Sequence, residues 1–353
     1  MPDARPARVP DARPIDAAER ARLVTARLAH VRGLLAATGA GVALLYRRRD
    51  VAWVTVGSEL HVVQGGDEVA APLLVTPDAA VVLAPNNEAA RIADEEVAGL
   101  PLELDVVPWF ETEDAVRLAA DHLARGHGVL RDGELERVLG PQRARLAPPE
   151  HARMRWLASE AVAALDGAAG SFAPGRTESE VVATLVAPLV AAAVRVPVAL
   201  AGADERMRYR HPLPTRKPLQ DRLMLVLVAE RWGLHVAGTR MAWLGGDGGT
   251  HPADAQAARV LNAMTAATRP GATLGGVLEA AALAYEAEGL AGEWEQHHQG
   301  GTIGYGPRER IATPADLTVI ETGMAVAWNP SVPGGKAEAT LLVTDTGAEV
   351  ILT

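Results

Sequence analysis

The sequence predicts a mixed α/β fold in two domains, a smaller one that ends at residue 147 and a larger one that begins at residue 148. The length of 353 residues suits about two domains rather than one. Strand-like apolar runs alternate with segments of helical periodicity in both halves, and the pair Pro148-Pro149 separates them. Hydrophobic residues make up 48% of the chain and charged residues 22%, so each domain can bury an ordinary core.

The first domain, residues 16–147, alternates helices and strands and follows a tail, residues 1–15, that we expect to be disordered. Apolar residues at helical spacing predict a helix over residues 16–37 that ends at Gly39. Strands are expected at residues 42–46, 51–56, 73–76, 80–83 and 102–107, and helices at 88–97 and 113–123. The run Arg47-Arg48-Arg49 lies between the first two strands, which predicts a solvated hairpin tip.

The second domain, residues 148–353, combines helices with pairs of strands. The spacing of Thr177 and Glu180 is typical of a capping box, in which each side chain satisfies a free backbone donor at the start of a helix. Helices are expected at residues 150–165, 177–194, 253–267 and 273–288. Strands are expected at residues 223–230, 234–243, 318–320, 325–328, 339–344 and 349–352.

The composition excludes several classes of function. A net charge of −10 disfavours nucleic acid and anionic membranes as partners, because both require a concentrated positive patch. The absence of cysteine excludes disulfides, thiolate metal sites and a cysteine nucleophile. No apolar run approaches the roughly 20 residues that span a bilayer, and the N-terminus lacks the apolar core of a signal peptide. We therefore expect a cytoplasmic protein that binds neither nucleic acid nor membrane.

Four segments of the second domain carry a resemblance to a known family. They are Arg210-His211-Pro212, residues 233–240, residues 297–301, and residues 321–330 followed by 336–338. In this order they resemble the motifs of the pita-bread superfamily, which contains creatinase, prolidase, aminopeptidase P and methionine aminopeptidase. The resemblance implies a pita-bread catalytic domain at residues 148–353, a creatinase-like N-terminal domain before it, and a homodimer.

The same resemblance locates the metal ligands of that superfamily in this chain. Its members hold two divalent ions with two Asp, one His and two Glu, and the corresponding residues here are Val226, Ala237, His298, Asn329 and Glu338. Valine and alanine offer no lone pair, and asparagine offers only a neutral carbonyl to a divalent ion. We therefore expect no bound metal and no other cofactor.

Creatinase, which the chain resembles through these motifs, cleaves a C–N bond without metal by means of histidines and carboxylates. The resemblance thus implies catalytic roles for His211, His298 and Glu338. Histidine can transfer protons near neutral pH, and a carboxylate can orient it or hold a cationic substrate. The alternative for His211 is a histidine packed in a loop, and His297 is expected to serve packing.

Strand periodicity adds two candidates for substrate binding. Alternate residues of a strand share a face, so Glu230 shares a face with Val226, and His235 shares one with Ala237. If Val226 and Ala237 line the former metal cavity, Glu230 and His235 lie at its rim. The alternative for Glu230 is a solvated residue at the end of its strand.

Three further residues are candidates for substrate binding. Arg308 could clamp a substrate carboxylate, or it could form an ion pair with Glu309. Lys336 shares a strand face with Glu338, so its ammonium group could occupy the vacated metal space. Asn329 faces the same space through the motif that contains it.

Three functions remain open from the sequence. The first is a metal-independent, hydrolase-like enzyme that acts on a C–N or related bond of a small polar metabolite by His/Glu acid–base chemistry. The second is a catalytically dead pita-bread protein that serves as a binding or scaffold module. The third is an Xaa-Pro aminopeptidase of the metallopeptidase type. The enzyme is favoured over the scaffold, because several polar groups left idle in a cleft are costly unless they are paired.

Overall fold

The computed structural model describes residues 15–244 and 250–353 of the chain. It forms several sheets with helices packed against them, so the expected mixed α/β class is confirmed. The tail expected at residues 1–15 lies outside the described residues except for Ile15, whose side chain is buried. Among the described helices, none is long and apolar enough to cross a membrane.

The two ranges expected to form domains are called the first domain and the second domain below. The first domain contains one five-stranded sheet with the strand order β4-β3-β2-β1-β5. Its elements are α1 (Ala17–Thr38), β1 (Ala40–Arg47), α2 (Arg48–Thr55), β2 (Glu68–Val75), β3 (Ala80–Pro85), α3 (Ala89–Arg91), β4 (Glu103–Val107), α4 (Thr112–Ala124), β5 (Gly128–Leu130) and α5 (Asp132–Arg143). Successive side chains of β1 point to opposite faces of the sheet, so this strand contributes to the packing on both faces. Val42 and Leu44 face α4, whereas Ala43 and Leu45 face α1.

The strand expected at residues 51–56 is wrong, because this segment belongs to helix α2. Its buried side chains include Val51, Trp53 and Val54, and a short apolar run of this kind does not distinguish a buried helix from a strand. The solvated hairpin tip expected at residues 47–49 is wrong for the same reason. Arg48 and Arg49 start α2, and their guanidinium groups bind Glu230 and Glu136.

The second domain contains two larger sheets, with the orders β6-β7-β8 and β10-β9-β11-β14-β15, and a small hairpin, β12-β13. Its helices are α6 (Pro148–Gly170), α7 (Glu178–Ala191), α8 (Pro252–Ala267) and α9 (Leu274–Ala287). Its strands are β6 (Arg195–Ala203), β7 (Arg222–Arg231), β8 (Leu234–Trp243), β9 (Gly300–Ile303), β10 (Arg310–Ile311), β11 (Ala325–Trp328), β12 (Ser331–Val332), β13 (Gly335–Lys336), β14 (Ala339–Thr344) and β15 (Gly347–Leu352).

One threonine joins the two larger sheets. The hydroxyl of Thr340 in β14 accepts a hydrogen bond from the backbone nitrogen of Ala237 in β8 at 2.9 Å. It donates to the carbonyl oxygen of the same residue at 2.8 Å. On β7, Leu225 and Leu227 enter the main core with α6, whereas Val226 faces the other side. Val226 lines a cavity on that other side.

Sequence patterns predicted a helix correctly where capping residues mark its start. The capping box at Thr177 and Glu180 is confirmed at the start of α7. The strand expected at residues 318–320 is wrong, because this segment makes only a single bridge, between Val319 and Thr273. Helix α5 and strand β6 were not predicted. Pro197 in β6 interrupts the apolar run that would have indicated a strand.

Candidate active site

A cavity of about 330 Å³ opens between β6, β7 and the loops that follow β9 and β11. One wall is apolar and consists of alternate side chains of the two strands. The opposite wall is polar and comes from five separate segments of the second domain. The lining residues are Val198, Leu200, His211, Val226, Val228, His298, Pro307, Arg308, Asn329, Lys336 and Glu338. Six of the eight residues expected in the site are therefore brought together.

Glu338 is held in place by two donors. Its Oε2 accepts a hydrogen bond from the hydroxyl of Thr239 at 2.8 Å, and its Oε1 accepts one from Arg308 at 3.1 Å. Thr239 reaches it because it lies opposite Val226 in the β7–β8 register. The carboxylate is almost fully buried, so this guanidinium is its charge partner. The ion pair expected between Arg308 and Glu309 is replaced by this one.

Lys336 is buried in the same cavity, with 4% of its surface exposed. Among the described residues, no side chain or carbonyl forms a hydrogen bond or ion pair with its ammonium group. Burial lowers the pKa of Lys336, while the charge of Glu338 opposes this shift. Lys336 and Glu338 therefore lie in the same cavity, and the occupation of a former metal space by this ammonium group stays a prediction.

Three imidazoles form one cluster beside this lysine. The ligand nitrogens of His211, His297 and His298 all lie within 4.8 Å of one another. Burial, followed by the charge of Lys336, lowers the pKa of His297 to about 2. Burial, followed by the charge of Arg308, lowers the pKa of His298 to about 4. Burial also lowers the pKa of His211, so all three rings are uncharged at neutral pH.

Several polar atoms around the cavity have no partner among the described residues. They are Nδ1 of His297, Nδ1 of His298, Oδ1 of Asn329 and Nε of Arg308. Asn329 approaches Nε2 of His297 through its Nδ2 at 3.5 Å, so His297 lies behind a lining residue of the cavity, and its expected packing role stays a prediction. Buried polar atoms without partners are costly, and a polar ligand would satisfy them.

The donor set does not fit the two-metal centre of the pita-bread relatives. Val226 and Ala237 supply no ligand atom, and the carboxylate of Glu338 is already shared between two donors. The histidine cluster is not a substitute. Its three ligand nitrogens lie close enough together to contact one ion, but the cluster contains no carboxylate to balance the charge of a divalent metal. The ammonium group of Lys336 would also repel a cation there.

The expected place of Glu230 and His235 at the rim of this cavity is wrong. They line a second cavity of about 290 Å³ at the junction of the two domains, and of the lining side chains only Pro307 is shared with the first cavity. Glu230 accepts hydrogen bonds from Arg48 and Arg195. Burial raises the pKa of Glu230, but His235 and these two arginines outweigh it and hold the value at about 2.

Glu230 and His235 both form contacts within the protein that explain their positions. Glu230 is a buried member of an ion-pair network between the domains rather than a solvated strand end. His235 is buried, and its Nδ1 lies 3.0 Å from the carbonyl oxygen of Gly304. Burial lowers the pKa of His235, which leaves the ring uncharged. These contacts account for both side chains without a substrate.

The loop that carries Arg308 is anchored on both sides. Tyr305 donates a hydrogen bond to Glu150, which also binds Arg27 of the first domain at 2.7 Å. Glu309 accepts hydrogen bonds from Arg143. No pattern along the chain indicates these contacts, because the partners lie far apart in the sequence.

Comparisons with known proteins agree with this architecture. The sequence profile of metallopeptidase family M24 matches residues 152–345. A search of curated proteins finds no match. The structure is similar to prolidase from Pyrococcus horikoshii OT3, with a TM-score of 0.78 and 16% identity over 93% of this chain and 98% of that chain. It is also similar to dipeptidase PepE from Mycobacterium ulcerans, with a TM-score of 0.74 and 19% identity over 96% of this chain and 97% of that one.

A third solved structure, X-Pro aminopeptidase from Thermotoga maritima MSB8, gives a TM-score of 0.74 at 12% identity, over 92% of this chain and 97% of that chain. The likeness extends over both domains in all three comparisons. The pita-bread fold that the four motifs implied is confirmed.

Proposed function

Because this chain belongs to metallopeptidase family M24, a family of hydrolases, we propose that it hydrolyses an amide or related C–N bond of a small polar metabolite without a bound metal. The single observation that carries the proposal is the content of the metal cavity. The resemblance assigns two metal-ligand positions to Val226, which lines this cavity, and to Ala237, which pairs with Val228 of the same wall. Lys336 lies in the same cavity and is buried there. The positive charge of Lys336 thus lies where the resemblance would place metal ions, which supports chemistry that uses the protein's own side chains.

The histidines are suited to the proton transfers of such a reaction. His298 lies in the cavity wall, and His211 lies at the exposed mouth. Both are uncharged at neutral pH because burial lowers their pKa values, so each can accept a proton from an attacking water. The protonated ring can then return the proton to the leaving nitrogen.

Glu338 and Arg308 form the electrostatic part of the site. Glu338 fixes the guanidinium of Arg308 at 3.1 Å, and Nε of Arg308 remains without a partner among the described residues. A fixed N–H donor beside a reacting carbonyl stabilises the negative charge that develops on its oxygen. Glu338 is therefore a positioning residue for Arg308 in this proposal.

A second function is favoured by the names of the similar structures. They are prolidases, a dipeptidase and an X-Pro aminopeptidase, which suggests a peptide bond next to proline as the substrate. That reaction in those relatives needs metal ligands that this chain lacks at three positions. The remaining alternative is a binding protein without activity. A bound ligand would satisfy the unpartnered polar atoms in that case as well, so the observation that favours the enzyme is the pair of uncharged histidines in the cavity wall.

The test is an activity screen in the presence of a chelator. The purified chain is incubated with N-acyl amino acids, amino-acid amides and Xaa-Pro dipeptides, and products are identified by mass spectrometry. We expect turnover that the chelator does not change. His298→Gln should lower turnover by about 100-fold or more. His30→Gln, which alters an exposed histidine on α1, serves as the matched control.

The other functions give different results in this screen. Cleavage of Xaa-Pro dipeptides that appears only with added Mn²⁺ or Co²⁺ would favour the metallopeptidase. A ligand that binds but is never turned over would favour the binding protein. The homodimer stays a prediction, and light scattering that gives twice the mass of one chain would support it.

A further inference from the structure

The cavity carries one positive charge more than its described side chains balance. Arg308 and Glu338 neutralise each other through their ion pair. The histidines beside them are uncharged at neutral pH. Lys336 adds an ammonium group for which the described part of the chain supplies no partner. The cavity is therefore suited to an anion, and a cationic ligand would meet repulsion.

The contrast with the other lysine shows that this arrangement is specific to the cavity. The chain contains two lysines, Lys217 and Lys336. Lys217 lies outside the cavity and binds two carboxylates, those of Asp204 and Glu205, each at 3.2 Å. Lys336 is more deeply buried and has no such partner among the described residues. Burial of an ammonium group without an anion is unfavourable, so a bound anion would stabilise the charged form of Lys336.

The shape of the cavity limits the size and chemistry of that ligand. A volume of about 330 Å³ is at the small end of ligand pockets. The wall formed by β6 and β7 presents four apolar side chains, namely Val198, Leu200, Val226 and Val228. Oδ1 of Asn329 is an unpartnered acceptor and can receive an N–H group.

We propose that Lys336 binds the carboxylate of a small aliphatic acid, whose apolar body lies against the wall of β6 and β7. This inference names the substrate class of the hydrolase proposed above and rests on that function. A substrate with an amide N–H beside such a body would place this group near Asn329. An N-acyl derivative of a small aliphatic amino acid has all three features.

The charged groups of the cavity also disfavour other classes of ligand. A guanidinium or ammonium substrate would need a free carboxylate, and Glu338 is already bound to Thr239 and Arg308. A phosphate group usually requires several converging donors, whereas Lys336 is the one unpaired cation among the described lining residues. A monocarboxylate needs no more than this lysine and one further donor.

The test compares three probes of similar shape and different charge. These are 3-methylbutanoate, its neutral amide and 3-methylbutylamine, and isothermal titration calorimetry measures their binding to the intact chain at low ionic strength. We expect the carboxylate to bind at least about tenfold more tightly than the amide, because a charge-assisted hydrogen bond replaces a neutral one. The amine should bind most weakly.

Two substitutions of Lys336 show whether this residue causes the preference for the carboxylate over the amide. Lys336→Met should abolish the preference for the carboxylate over the amide, and Lys336→Arg should retain part of it. Lys217→Met is the matched control and should leave all three affinities unchanged. Thermal unfolding of each variant shows that a loss of binding does not come from loss of the fold.

Equal affinity for the carboxylate and the amide, or a preference for the carboxylate that survives in Lys336→Met, would overturn the inference. Binding and turnover are measured separately, so the two proposals can fail independently. If 3-methylbutanoate binds through Lys336 but no C–N bond in the screen is cleaved, the proposed function fails and the anion site stands. If neutral amides are hydrolysed and carboxylates are ignored, the anion site fails alone.

Discussion

Arg143, the last residue of α5 in the first domain, donates hydrogen bonds from Nε and Nη2 to the carboxylate of Glu309 in the second domain. Arg308, which directly precedes Glu309 in the chain, binds Glu338 inside the cavity. Neighbouring side chains thus tie the same loop to the first domain and to the candidate site. Arg143 also contacts Asp50 of α2, so the first domain fixes the position of Arg308.

Removal of this arginine should destabilise the protein strongly. Arg143→Met leaves the carboxylates of Asp50 and Glu309 buried without their cation. We expect the free energy of unfolding to fall by about 3–5 kcal/mol, which is typical when one partner of a buried ion pair is removed. Chemical denaturation at neutral pH measures this loss.

Arg145→Met is the matched control for that variant. Arg145 lies two residues away and pairs with Glu321, but both side chains are more than 40% exposed. An exposed pair contributes at most about 1 kcal/mol. Equal losses in the two variants would show that the buried network does not anchor the loop.

Much of the candidate site could be predicted from the sequence, because motif order carries long-range information. The resemblance placed His211, His298 and Glu338 together, and strand periodicity put Lys336 beside Glu338. The cavity contains all four. Lys336 and Glu338 share the cavity although Glu338 lies between β13 and β14 rather than on one strand with Lys336.

The contacts between the domains could not be predicted in this way. Arg48 and Glu230 are 182 residues apart, and neither periodicity nor composition relates them. Glu230 was therefore expected at the rim of the site, although two arginines hold it in a different cavity. The apolar run after Arg49 was interpreted as a strand because burial on all sides removes the periodic signal.

The histidine cluster predicts a loss of stability in acid. Burial depresses the folded pKa of His297 to about 2 and that of His298 to about 4, whereas unfolded histidine titrates near 6.5. Between these values the unfolded chain binds more protons, so stability is complete above about pH 6.5 and falls as the pH falls. Each ring contributes up to about 1.4 kcal/mol per pH unit to this slope.

Denaturation curves at about pH 7 and about pH 5 test this prediction. The double variant His297→Gln/His298→Gln should lose less stability between the two conditions than the parent chain does. The control His30→Gln should keep the full loss, because that exposed ring makes no buried contact. The same acid sensitivity in the parent and the double variant would contradict the low pKa values.

The two lysines should titrate in opposite directions from the ordinary value. Burial lowers the pKa of Lys336. For Lys217, burial also opposes the charged form, but the hydrogen bonds to Asp204 and Glu205 outweigh it and raise the pKa. Lysine labelled at the ε position gives two NMR signals, which Lys217→Met assigns. We expect the signal of Lys336 to titrate at a lower pH, and the reverse order would place an anion beside it.

Replacement of the buried lysine should stabilise the protein while it removes anion binding. Lys336→Met exchanges an unpaired buried ammonium group for an apolar side chain of similar length. We expect the free energy of unfolding to rise by about 1–3 kcal/mol at neutral pH. The folded pKa is depressed, so this gain should shrink as the pH rises towards about 10.4, where the unfolded lysine also loses its proton.

Guanidinium denaturation of this variant measures the gain, and Lys217→Met provides the comparison. Lys217 is paired near the surface, so its replacement should lower stability by at most about 1 kcal/mol. A loss of stability in Lys336→Met would mean that the ammonium group already has a partner in the folded chain. The expected result describes a residue that is kept at a cost to stability, which is typical of functional sites.

Glu338→Gln separates binding from turnover, because this substitution removes a negative charge but leaves the apolar wall intact. The amide can still accept a hydrogen bond from Thr239, whereas Arg308 loses its charge partner. The net positive charge of the cavity then increases, so the affinity for 3-methylbutanoate should rise by a few-fold at low salt. Turnover should fall by about tenfold or more, because Arg308 is no longer fixed beside the reacting carbonyl.

Lys336→Met gives the opposite result for carboxylate affinity, so calorimetry on the two variants distinguishes a charge effect from general damage to the cavity. If Glu338→Gln weakens carboxylate binding as much as Lys336→Met does, the two groups act together on the ligand, and the electrostatic account of this cavity is wrong.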